Sequence, residues 1–112
     1  MKYIKTFEKV PFSMHNYIDD INIKRDEYTK YIGKYAILEH VNIYYLAKII
    51  SLDYSKYYFN IETYEYDEEY KGYNVFPENF HIINFNILKA FDTFAEAKKD
   101  FEILQDSNKY NL

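Results

Sequence analysis

The stretch from Tyr57 to Tyr66, YYFNIETYEY, constrains the fold of this chain more than any other. Tyr57, Phe59, Ile61 and Thr63 alternate with Tyr58, Asn60, Glu62 and Tyr64. A period of two places the sets on opposite faces of one strand, the first apolar and core-facing, the second aromatic but wet. Just before it, Ile43 to Leu52 is apolar on both faces apart from Lys48 and Ser51, the pattern of a strand covered on two sides and therefore central. Asp53-Tyr54-Ser55-Lys56 between them has the composition of a four-residue hairpin loop.

The flanking segments extend this hairpin into a small sheet with helices. Residues 2–7 suit a short edge strand, and Pro11 then interrupts, since it lacks a donor and disfavours helix at Val10. Met14, Tyr17, Ile18 and Ile21 have helical spacing, which predicts a short helix. Asp26 starts a further turn, with Tyr28, Tyr31 and Ile32 on one face and Gly33 as its left-handed stop. Lys34 to His40 is a strand buried on both faces. Glu65 to Gly72 is expected to be a charged loop, Tyr73 to Phe76 a short strand ended by Pro77, and His81 to Phe91 one broken strand or two short ones. Thr93 and Glu96 form a capping box. The helix behind it, from about Phe94 to Leu104, carries the stripe Phe94, Ala97, Phe101 and Leu104. The polar tail from Asp106 is expected to leave the helix.

These elements make one α+β domain over 1–112. Residues 1–33 form an N-terminal extension with a short helix, 34–91 a five- or six-stranded antiparallel SH3-like barrel or curled sheet, and 93–105 a packed C-terminal helix. The chain has no cysteine, which excludes disulfides and thiolate metal sites. Its apolar runs fall well short of the ~20 residues a membrane span needs. The start MKYIKTFEKV lacks the apolar segment of a secretory signal. The expected localisation is cytoplasmic.

The net charge of −4 is unevenly placed: residues 1–56 sum to +2 and residues 57–112 to −6. General phosphate binding needs a basic field, which the acidic half opposes. Lys24, Arg25, Lys30 and Lys34 are the densest basic group. The acidic counterpart, Glu62 to Glu69, holds five carboxylates and no basic residue. It is either a solvated hairpin or a recognition surface for a basic partner. Tyrosines run through it, and tyrosine is favoured at binding sites for its large area and low entropy cost. Tyr44, Tyr58, Tyr64, Tyr66, Tyr70 and Tyr73 are candidates to cluster there. The candidate partner-binding residues are Glu62, Tyr64, Glu65, Tyr66, Asp67, Glu68, Glu69 and Tyr70.

Catalysis is not expected. No Gly-rich phosphate loop, GxSxG elbow or HExxH motif occurs. His15, His40 and His81 show no metal-pair spacing, and no cofactor or metal is expected. With fifteen tyrosines and a single arginine, Arg25, the usage has the bias of AT-rich coding, so the tyrosine content follows either from the genome or from a binding surface.

The runs IGKYAILEH, YLAKIISLD, YYFNIETY and ILKAF resemble the strand order of small SH3-like or Tudor-like barrels, which implies a tight meander closed by a short strand. No residue role carries over, since no diagnostic motif accompanies the resemblance. The opening MKYIKTFE resembles short uncharacterised phage proteins of AT-rich hosts. In size and charge the chain is similar to small inhibitors of bacterial defence nucleases, anti-CRISPR proteins among them. This implies a phage- or mobile-element-encoded, non-enzymatic inhibitor that docks an acidic, tyrosine-rich surface onto a host protein, possible partners being nucleic-acid-handling effectors. The alternatives are a nucleic-acid or small-ligand module using the sheet aromatics, and a virion or complex subunit.

Overall fold

The computed structural model describes residues 9–110, with side chains described from 19 to 106. The strand expected at residues 2–7 lies outside the described residues. The chain runs α1 (Lys9–Tyr28), a 3-10 turn (Thr29–Tyr31), β1 (Tyr35–His40), β2 (Ile43–Leu52) and β3 (Tyr58–Asp67). Then come β4 (Gly72–His81), a second 3-10 turn (Ile82–Asn84), β5 (Phe85–Phe91) and α2 (Phe94–Tyr110). The fold is α+β, a five-stranded antiparallel sheet in the order β4-β3-β2-β1-β5 with two helices. β2 is central, as its two-sided apolar pattern requires.

The sheet is open, with β4 and β5 as its edges, but it is curled. The edges of a flat five-stranded sheet lie about 19 Å apart. The connection from His81 to Phe85 is four residue steps, which reach at most about 14 Å even when extended. Curling brings diagonal corners of the sheet together: His81 is in register with Tyr58 and Phe85 with His40, yet the rings of Phe80 on β4 and Phe85 on β5 sit 5.9 Å apart. Among the described residues the strand pairings do not close the sheet into a barrel.

The face lined by Phe59, Ile61, Ala47, Ile49, Ala36 and Leu38 forms the main core with Tyr28, Phe80, Ile82 and Phe85. Tyr28 plugs it: its ring lies 5.4 Å from Phe85 and 6.4 Å from Phe59, and its hydroxyl accepts the N–H of Ile87 at 3.0 Å. The polar tip is thus satisfied where burial would otherwise penalise it. On the opposite face Ile37, Leu46 and Ala97 are buried, and α2 is tied to the sheet by Lys89–Asp100 at 3.3 Å.

Several expectations are corrected. The N-terminal helix is a single 20-residue element and not a short one. Pro11 sits in its first turn, where the missing N–H has no intrahelical acceptor to lose, and no breaker follows before Gly33. Gly33 does end the segment, at φ 90°, with its N–H on the carbonyl of Ile49 at 2.7 Å. Pro77 does not end a strand, because β4 runs through it to His81. Ile82 N–H donates to Tyr57 C=O at 2.8 Å. Carried along the unbroken β3–β4 register, that bond makes Pro77–Glu62 a pair without mutual hydrogen bonds. The nitrogen of Pro77 therefore faces the free edge, where a missing donor costs no ladder bond. The expected strand at His81 to Phe85 is the end of β4, a 3-10 turn and the first residue of β5. Finally, α2 continues past Asp106 to Tyr110.

Candidate functional site

Strand alternation places Tyr44 of β2, Tyr64 and Tyr66 of β3 and Tyr73 of β4 on the face that α2 crosses. The groove between these strand ends and the C-terminal half of α2 has a volume of ≈ 540 Å³. It is lined by those four tyrosines, Phe101, Ile43 and Tyr45, together with Glu65, Glu102, Gln105 and Asp106. Among the described residues no basic side chain lines it.

An aromatic seam forms its floor. Phe94 packs on Tyr35 (5.8 Å between ring centroids), Tyr64 (5.0 Å) and Tyr73 (5.5 Å), and Tyr66 meets Tyr73 edge-on at 5.4 Å. These distances and tilts are those at which aromatic rings attract. Tyr64 donates to Glu62 Oε1 at 3.4 Å. Burial, then the charge of Glu62, pushes its phenol up to about 12. Tyr73 donates to Glu102 Oε2 at 3.5 Å, and its phenol is also raised, first by burial and then by Glu102. Lys98 pairs with Glu102 at 3.1 Å.

The eight candidate residues divide by role. Glu62 and Tyr64 are half-buried beside α2 and belong to the packing. Glu65 and Tyr66 lie in β3 and not in the expected loop, which covers only residues 68–71. Tyr66 is 52% exposed at the groove. Asp67 builds the hairpin: Oδ1 accepts the N–H groups of Glu69 (3.0 Å) and Tyr70 (3.1 Å), and Oδ2 accepts from Asn74 (3.2 Å). These bonds, that from Tyr70 first, hold its carboxyl below the usual aspartate range. Glu68, Glu69 and Tyr70 are exposed at the tip. The ring of Tyr70 lies against Gly72, where an added Cβ would come within 2.9 Å of it.

Of the tyrosines expected to cluster, Tyr44, Tyr64, Tyr66 and Tyr73 share the groove. Tyr58 instead packs edge-on to His81 at the far end of β3, 4.9 Å away. Glu102 and Asp106 were not anticipated, although they stand four apart on the helix beside Phe101 and Gln105. That spacing was the available signal.

Both described histidines have local partners. His40 stacks on Phe80 at 4.0 Å, and His81 Nδ1 accepts the N–H of Ile83 at 3.2 Å; the side chain of His15 lies outside the described residues. Among the described residues no group of three or more His, Asp or Glu is placed to hold a metal. No described helix is long and apolar enough to cross a membrane. Three of the four basic residues singled out in the first half have local partners. Lys24 lies over the Tyr28 ring at 5.5 Å, Arg25 pairs with Asp26 at 3.5 Å and Lys34 with Asp92. Comparison with known proteins finds no matching family model, no matching curated protein and no matching solved structure.

Proposed function

We propose that this is a non-enzymatic binding protein that docks its acidic, tyrosine-rich end onto a basic surface of a host protein. The observation that carries the reading is the juxtaposition of two features at one end of the sheet. The tyrosine groove has Glu65, Glu102 and Asp106 in its lining, and the β3–β4 hairpin beside it presents Glu68 and Glu69. Exposed aromatic area gives affinity, and a like-signed field selects and steers a basic partner. The β1–β5 pairing, the curl and the three-residue link into β5 support the small-barrel resemblance.

Composition and the opening MKYIKTFE favour a phage or mobile-element source, which places the protein in the host cytoplasm. A nucleic-acid-handling effector suits such a partner, because carboxylates on this surface would occupy basic sites that otherwise take phosphates. This is an inhibitor's mode of action, of the kind anti-CRISPR proteins employ. Direct nucleic-acid binding is disfavoured, since Lys24, Arg25 and Lys34 already face a ring or a carboxylate.

Capture of host proteins by the immobilised full chain, with and without nuclease, tests the reading alongside a gel shift at low salt. One host protein retained after nuclease supports it. Salt-sensitive binding to bare DNA or RNA overturns it.

A further inference from the structure

We infer that the groove beside Tyr66 and Tyr73 takes the lysine or arginine side chain of a basic protein segment lying along the acidic hairpin. The inference rests on the docking reading above and names what that surface grips.

The groove is large enough for such a side chain, at ≈ 540 Å³. Its lining combines two attractions for a cation. Tyr44, Tyr66 and Tyr73 line it with aromatic rings, whose electron-rich faces draw a nearby positive charge, and Phe101 adds apolar contact for an alkyl stem. Glu102 and Asp106 of α2 line it, whereas an anion would find no basic residue in the lining among the described residues. Glu102 is engaged by Lys98 and the Tyr73 hydroxyl, which leaves Asp106 as the principal acid of the lining for an occupant. The molecule already uses this chemistry internally, with Lys48 Nζ 5.2 Å from the Tyr35 ring centre. A protein segment is favoured over a free small cation because the negative charge continues past the groove. Glu68 and Glu69 follow Tyr66 and Asp67 directly in the hairpin and can meet the residues flanking the inserted side chain.

The test titrates isotopically labelled full-length protein with acetyl-hexaarginine amide, acetyl-hexaglutamate amide and tetramethylammonium chloride, following tyrosine ring signals by NMR. Hexaarginine should bind, weaken with salt, and shift the rings of Tyr66 and Tyr73; hexaglutamate should do neither. Tyr66→Leu and Asp106→Asn should each weaken hexaarginine binding by about three- to tenfold. The double variant Glu68→Gln, Glu69→Gln should weaken it while preserving the ring shifts. Thermal midpoints confirm folding, and Asp106→Asn, at an exposed helix position, keeps the test sound if Tyr66→Leu unfolds. Hexaarginine binding that leaves the rings unmoved, or equal affinity in both groove variants, overturns the groove inference while the acidic docking surface stands. Tetramethylammonium binding as tightly as the peptide overturns the commitment to a protein segment. Absence of hexaarginine binding also overturns this inference, and host-protein capture then decides the docking reading separately.

Discussion

Asp67 Oδ1 accepts the backbone N–H of Tyr70 at 3.1 Å. An acid that sequence alone assigns to recognition is therefore committed to building the hairpin that displays its neighbours. Substitution should separate these roles: Asp67→Ala should lower the thermal midpoint, because three donors lose their acceptor, while Glu68→Gln and Glu69→Gln should leave it unchanged.

The same bonds fix a pH dependence. The carboxyls of Asp67, Glu39 and Asp92 are all held below their ordinary values, chiefly by hydrogen bonds from Tyr70, Asn86 and Lys34 respectively. A carboxyl depressed in the folded state stabilises it fully above its unfolded value, near 4, and loses that contribution as pH falls through the folded value. Thermal melts should be flat from pH 7 to about 5 and fall below about 4. Asp67→Asn should lose less stability on acidification than the unmodified protein.

At the alkaline end the sign reverses in pH. Tyr64, raised to about 12 by burial and Glu62, favours the folded state fully below its unfolded value near 10, and that advantage is lost as pH rises to about 12. Absorbance titration at about 295 nm should show a late phenolate step that Tyr64→Phe removes.

Phe94 joins α2 to three tyrosine rings, Tyr35, Tyr64 and Tyr73. Phe94→Ala should cost about 2 kcal/mol in urea denaturation. Phe101→Ala, at the solvent-open groove, should cost about half as much.

The β1–β2 turn holds Val41 and Asn42 at φ 53° and 64°. A β-branched residue is strained in that region, whereas asparagine or glycine accepts it. Val41→Asn should stabilise the protein by about 1 kcal/mol in the same assay.

Much of this architecture was legible in the sequence. Alternation from Tyr57 to Tyr66 identified the buried face, since Phe59, Ile61 and Thr63 are all buried, although Tyr57, which precedes β3, is exposed. Thr93 and Glu96 marked the start of α2: Thr93 Oγ1 accepts the Glu96 N–H at 3.2 Å. Its hydroxyl in turn donates to the Glu96 carboxylate at 2.9 Å, in place of the backbone donor expected there. Pro77 misled because proline forbids only an inward-facing donor, and which way its nitrogen faces depends on a register that local sequence does not carry. The site was half legible for a similar reason. The charge of Glu62 to Glu69 is written in consecutive residues. The groove exists only because α2 returns to lay Phe101, Glu102 and Asp106 beside tyrosines from three strands, a long-range juxtaposition without a local pattern.

The acidic docking end is tested most directly by reversing its charge while sparing its turn. Capture from nuclease-treated host lysate should be compared for the unmodified chain and the triple variant Glu65→Lys, Glu68→Lys, Glu69→Lys, with Asp67 retained. The account predicts one host protein held by the unmodified chain and lost by the variant, at thermal midpoints that agree. The same protein retained by a folded variant would contradict it, and the acidic stretch would then be a solvated hairpin.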